Sequence, residues 1–118
     1  MKLDAAWETF GLNSYESKIW NALLSRGVAT ASELADISKV PRSRCYDVLE
    51  GLEKKGFVFE KLGKPIKYIA VDPSQAVENL KKEVAKEERR MLAQYDRIKE
   101  SETFAELEEL YSAGITYV

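Results

Sequence analysis

The stretch VPRSRCYDVLEGLEKKGFV, residues 40–58, reads as a helix that opens with two arginines and closes on a lysine pair and a glycine. Pro41 stands where a helix begins, since the first-turn position has no use for its missing N–H. Gly56 stands where one ends. At about 100° per residue, Val48, Leu49 and Leu52 fall within about 60° of Cys45. That stripe is the buried one, which makes Cys45 a small core residue and not a nucleophile. Ser43, Asp47, Glu50 and Lys54 lie opposite it, with Arg44 and Tyr46 flanking this outer face. Arg42 sits nearer the buried shoulder, but in the first turn, from which its long side chain reaches outward.

Upstream, TASE from Thr30 to Glu33 has the form of a capping box. It predicts a short helix carrying Leu34 and Ile37, then a break at Ser38–Lys39–Val40. Two helices joined by such a break form a helix-turn-helix over 30–55. Nearer the N-terminus, Leu3, Ala6, Trp7 and Phe10 are spaced for one face of a helix that Gly11 ends. Ser14 is expected to cap the next helix, which carries the stripe Tyr15, Ile19, Ala22 and Leu23 and stops at Gly27. Trp20 and Leu24 extend its apolar surface to a second side, so this helix is expected to have two neighbours.

Downstream the period changes. FVFEKL and IKYIAV are rich in β-branched and aromatic residues, and Gly63, Lys64 and Pro65 separate them. They predict a β-hairpin with a loop rather than a tight two-residue turn. Asp72 and Pro73 then take the cap and first positions of a helix with no breaker until about Ser101, roughly 40 Å long at 1.5 Å per residue. A second capping box, TFAE from Thr103, is expected to start a last short helix that fades at Gly114. The fold class is mainly α with a small β wing: a winged helix-turn-helix followed by a long C-terminal dimerisation helix. The expected domains are a winged DNA-binding domain with its N-terminal helix over 1–71 and a dimerisation or linker segment over 72–118. The core of the winged domain is expected to lie upstream of Asp72.

The 118 residues suffice for one small domain and an appendage, and 45% hydrophobic residues suffice for a core. No apolar run approaches a membrane span of about eighteen residues, so no membrane partner is expected. The start, MKLDAAWETF, is not expected to be a signal peptide. One cysteine and no histidine exclude an internal disulfide framework, most metal sites, and Ser–His–Asp or Cys–His catalysis. A reducing, cytoplasmic setting is consistent with this. The acidic residues are spaced as solvated helix faces, so neither enzyme activity nor a cofactor is expected.

The net charge of −2 hides an asymmetry. Residues 37–71 carry eight cations against four acids, a net +4, while the two flanks are acidic. A localised basic middle is what a polyanion-binding face would produce. Its cations open the second helix of the helix-turn-helix, the turn that enters the major groove first. Arg42 and Arg44 can pair bidentately with phosphate or guanine. Ser43 and Tyr46 add neutral hydrogen-bonding tips. Ser32, Lys39, Pro41 and Asp47 complete the candidate contact set of the motif. The wing adds Lys61, Lys64 and Lys67, which would touch backbone without reading bases. Double-stranded DNA is the partner this arrangement suits.

Each reading has a plainer rival. Arg44–Asp47 and Glu50–Lys54 have the spacing of surface salt pairs. Hairpin lysines also guard sheet edges against aggregation. A winged helix can serve as a protein–protein adaptor, although an adaptor should show an apolar or acidic outer face here. Within the DNA reading, a non-specific DNA-coating chromatin protein would use contacts similar to those of a sequence-specific regulator.

The order of SYE opening one helix, VPRSRCYDVL in another, and GKPIKYIAVDP after it closely resembles the archaeal TrmB family of transcriptional regulators, over about residues 12–83. The resemblance implies a winged-helix DNA-binding domain that dimerises, with Arg42, Ser43, Arg44 and Tyr46 on the DNA-reading helix. Longer members carry a C-terminal sugar-sensing domain, and FAELEELYSAGITYV resembles the segment leading into it. No small-molecule site is expected in this chain.

Val77, Val84, Met91 and Ile98 recur every seven residues along the long helix, with Leu80 at the matching d position and Tyr95 beside the seam. Glu87 and Gln94 at later d positions make this a coiled coil of modest quality. The helix could instead pack back on its own domain. Its length favours a homodimer, to which Trp7 and Phe10 are candidate contributors.

Overall fold

The computed structural model describes residues 3–116. Six helices and three strands follow in the order α1 (Leu3–Thr9), α2 (Ser14–Arg26), β1 (Val28–Thr30), α3 (Ala31–Ser38), α4 (Arg42–Lys54), β2 (Val58–Lys61), β3 (Lys67–Ala70), α5 (Pro73–Lys99) and α6 (Glu102–Thr116). They form two compact units, Met1–Lys81 and Lys82–Val118.

The first unit is a winged helix-turn-helix. Helices α2, α3 and α4 enclose one core in which Ile19, Leu23, Leu34, Cys45, Leu49, Leu52 and Phe57 are fully buried. Cys45 behaves as the sequence implies: its Sγ–H donates to the Val40 and Pro41 carbonyls, and burial pushes the thiol up. The thiol is therefore protonated and inert at neutral pH. Trp20, expected on a second apolar side, is only 2% exposed. Its indole N–H donates to the Phe57 carbonyl at 3.0 Å, and it meets Trp7, Phe10 and Phe57 edge-on. The second side is thus filled from within the chain.

Helix α2 is capped by Asn13, not by Ser14. The Asn13 side chain accepts from the Glu16 amide at 2.8 Å, and the Glu16 carboxylate accepts from the Asn13 amide at 3.0 Å. The same carboxylate is buried and holds Lys55 at 2.7 Å, while Lys55 also donates to the Gly11 carbonyl. One ion pair thus ties the start of α2 to the end of α4. Gly51 allows this approach, because a Cβ there would sit 2.9 Å from a Glu16 carboxylate oxygen. Thr30 and Glu33 form the expected capping box of α3. Pro41 is the residue before α4 rather than its first, with its carbonyl accepting from the Arg44 amide at 2.9 Å.

The sheet has a third strand beyond the expected hairpin. Its order is β1-β3-β2, all antiparallel. β1 has only three residues, too few to show a period of their own, and pairs with the free edge of β3 from Val28 opposite Ile69 to Thr30 opposite Lys67. Residues 62–66 loop between β2 and β3, as Pro65 requires.

The core does not stop at Asp72. Asp72 caps α5 through a 2.7 Å bond from the Ser74 amide, and Ala76 is then buried and Leu80 half-buried on the same core. Asn79 donates to the Gly56 carbonyl at 2.8 Å. The opening turns of α5 are therefore part of the winged-helix core, because an apolar face at the start of the helix lands on it.

In the second unit α5 continues to Lys99, and α6 begins at Glu102 rather than Thr103. The Ser101 hydroxyl takes the capping role, accepting from the Phe104 amide at 3.2 Å. Gly114 does not end α6, which runs to Thr116. Even inside a helix a glycine costs only about 1 kcal/mol relative to alanine, and Gly114, in the last turn, does not stop it.

Candidate nucleic-acid interface

Helix α4 presents Arg42, Ser43, Arg44, Tyr46 and Asp47 to solvent, while Cys45 and Val48 face the core. The two arginines have different neighbours. Arg42 is paired with Asp36 of α3 at 3.8 Å, and both side chains are well exposed. Such a pair contributes little and yields easily to a stronger anion. Among the described residues Arg44 makes no salt pair with Asp47. Its guanidinium lies instead 5.6 Å from the Tyr15 ring centroid. The other pair that the spacing allows, Glu50–Lys54, forms at 3.2 Å. It is a solvated pair further along the helix.

The turn between α3 and α4 puts Lys39 in the left-handed region, at φ 63°. A glycine would sit there without steric strain. A lysine places an exposed cation where the two helices of the motif meet. Ser32, in the first turn of α3, is also exposed. It lines a cleft of about 420 Å³ together with Thr30, Ala31, Tyr46, Pro65, Ile66 and Tyr68. The start of α3, the outer face of α4 and the wing loop thus border one concave surface.

The wing supplies the remaining cations. Lys61 on β2 lies directly opposite Lys67 on β3. Lys61, Lys64 and Lys67 line one shallow concavity with Leu62, Gly63 and Pro65. Directly opposed like charges destabilise a strand pair. Lys67 is on the central strand, so guarding an edge does not explain it. A polyanion bound between the two lysines would relieve their repulsion.

Acidic groups also border this face: Asp36 beside Arg42, Asp47 on α4, and a carboxylate cluster further along. At the other end of α4, burial and the neighbouring Glu60 and Glu50 push the Glu53 carboxyl above its usual range. Burial, Glu60, Tyr46 and Glu53 also push the Tyr68 phenol up. Carboxylates thus cluster around Glu53 toward the α4 end, while the wing-tip loop and its flanks carry Lys61, Lys64 and Lys67.

The candidate interface residues of the chain itself divide. Trp7 and Phe10 are half-buried against Trp20, so much of their apolar surface is used within the first unit. Leu80 packs on the same core. Val77, Val84, Tyr95 and Ile98 are 38, 68, 59 and 49% exposed, and Met91 is half-buried. Val84 and Met91 share a shallow concavity with Glu83, Glu87 and Glu88. Residues that sequence reasoning missed at the site are Tyr15, placed only in the core stripe, and the cleft-lining Thr30, Ile66 and Tyr68. Their contacts are non-local, and no periodicity reports them.

A winged helix-turn-helix with its cations on the exposed face of the second motif helix and on the wing belongs to the helix-turn-helix class. Residues 8–74 match the family described as sugar-specific transcriptional regulator TrmB, and the chain belongs to that family. The DNA-binding HTH-type transcriptional repressor TrmBL2 of Thermococcus kodakarensis is 49% identical over 71 residues, covering 60% of this chain and 27% of that protein. The HTH-type sugar sensing transcriptional regulator TrmBL1 of Pyrococcus furiosus is 30% identical over 105 residues, covering 89% of this chain and 31% of that protein. The chain thus spans less than a third of the length of these relatives. A solved structure of TrmBL2, described as an archaeal chromatin protein with a novel mode of DNA binding, superposes with a TM-score of 0.75 at 37% identity, over 98% of this chain and 44% of that one. Among the described residues no helix is long and apolar enough to cross a membrane.

Proposed function

We propose that this chain binds double-stranded DNA as a dimeric transcription regulator, with the first turns of α4 in the major groove and the wing on the phosphate backbone. The observation that carries this reading is the wing: Lys61 and Lys67 face each other in register, with Lys64 in the same concavity. Free backbone amides at the start of α4 add anion affinity. Arg42 and Arg44 supply the geometry for bidentate pairing. The names of the relatives agree with this reading. Dimerisation runs through α5, whose Val77, Val84, Met91 and Ile98 repeat every seven residues and would otherwise stay wet.

A second reading, non-specific coating of DNA, would accord with TrmBL2 being described as an archaeal chromatin protein. Two substitutions separate the readings. Arg44→Ala should weaken the promoter duplex by about 1–3 kcal/mol and relax sequence preference if Arg44 reads a base. Lys64→Ala should weaken all duplexes alike and flatten the log–log salt slope by about one. Identical behaviour of both variants on promoter and random DNA would assign the protein to backbone coating.

A further inference from the structure

We infer that Tyr15 is a positioning residue for Arg44, holding the guanidinium over its ring before DNA arrives. The inference rests on the DNA-binding reading above. Tyr15 is on α2, outside the helix-turn-helix, and packs half-buried against the core. Its backbone position is fixed from several sides. The adjacent Glu16 closes the α2 capping box, and its carboxylate also holds Lys55 at the far end of α4 at 2.7 Å. Arg44 Cζ lies 5.6 Å from the centroid of this anchored ring, inside the range of about 6 Å at which a ring quadrupole attracts a cation.

A ring face attracts the cation without spending its N–H donors. The Arg44 donors therefore stay available to a phosphate or a guanine edge. Arg42 differs, because its nearest charged partner is the exposed Asp36 carboxylate at 3.8 Å, a loose competitor for an incoming anion. The two arginines of one turn thus meet DNA with different neighbours: Arg44 lies over a ring, while Arg42 has only a loose, solvated carboxylate beside it. Ordering a long side chain before binding removes part of the entropy lost on association. A leucine at position 15 would keep the packing against the core and lose the ring face. A phenylalanine would keep both.

The test is duplex binding by fluorescence anisotropy for wild type, Tyr15→Leu, Arg44→Ala, the double variant and Tyr15→Phe. The probes are the protein's own promoter duplex and a random duplex. Tyr15→Leu should weaken the promoter duplex about two- to fivefold in the wild-type background. It should bring no further loss in the Arg44→Ala background, and Tyr15→Phe should match wild type. An equal loss in both backgrounds, a Phe variant that falls with the Leu variant, or a Leu variant that binds as wild type would each overturn the inference. A second measurement needs no variant to fold. In the free wild-type protein, the Arg44 side-chain protons should show an upfield ring-current shift by NMR, and its absence would overturn the inference as well. A wild-type protein that binds neither duplex at low salt is a different result: the DNA reading itself fails, and the positioning role fails with it.

Discussion

Trp20 and Tyr111 are both large aromatic residues on helices, and they meet opposite surroundings. Trp20 in the first unit is 2% exposed, ringed by Trp7, Phe10 and Phe57, with its one polar atom bonded to a carbonyl. Tyr111 in the second unit is 66% exposed, and Leu107, Leu110 and Ile115 on the same helix are each more than half exposed. The first unit closes its own core, and its exposed apolar residues, such as Leu3, Ile37 and Leu62, are scattered over separate elements. The second unit leaves an apolar stripe uncovered on α5 and another on α6. Charge on a closed domain suits a polyanion, whereas uncovered apolar helix suits protein. On the proposed function, the first unit would serve DNA and the α5 face of the second would serve assembly.

The sharpest way to break this comparison is to truncate one large side chain in each unit. Trp20→Ala should lower unfolding free energy by about 3–5 kcal/mol, the range for emptying a buried aromatic site. Leu110→Ala should change it by less than about 0.5 kcal/mol. Urea denaturation of both variants, followed by circular dichroism, measures the contrast. Equal losses would mean that α6 is as well packed in solution as α2.

Assembly is tested next by Val84→Asp with Met91→Asp. If these side chains are dry in a dimer seam, burying each unpaired carboxylate costs several kcal/mol, and the double variant should sediment as a folded monomer. It should also bind a two-half-site duplex far more weakly, having lost the linked second site. Both substitutions lie beyond Ala76 and Leu80, so the first unit keeps its full core. A variant that remains dimeric would shift the interface away from this face of α5.

The smallest effect concerns Glu53. Its carboxyl is raised by burial, by Glu60 and by Glu50. A carboxyl raised in the folded state contributes stability below its unfolded pKa and loses it as pH rises through the folded one. At neutral pH the ionised Glu53 is therefore unfavourable. Glu53→Gln should raise the melting temperature at pH 7 and leave it unchanged near pH 3.5. Solvent screening holds the gain to a few tenths of a kcal/mol. A gain that persists at low pH would point to packing and not to charge.

The sequence patterns that proved legible were those with local causes. The α4 stripe of Cys45, Val48, Leu49 and Leu52 followed from helical period alone, and all four are buried. The Thr30–Glu33 capping box and the glycine stop at Gly56 are likewise local. Three features were not legible. β1 is too short for a period and exists because β3 offers it an edge. Trp20 finds its carbonyl partner on Phe57, 37 residues away, so its apparent spare face gave no sign of being filled. Asn13 and Ser14 are equally good caps by type, and only the reach of Glu16 back to the Asn13 amide distinguishes them. At the candidate site, exposed Arg44 was legible from the wheel, and exposed Arg42 from its first-turn position. The Tyr15–Arg44 contact was not, because it joins two helices far apart in the chain.

The decisive quantity is the salt dependence of duplex binding by the wild-type chain, measured by anisotropy across a series of salt concentrations. Three to five phosphate contacts per subunit in a dimer predict a log–log slope of about −5 to −9. A slope near zero, or no binding at low salt, would contradict the DNA reading and leave the winged helix as a protein–protein adaptor.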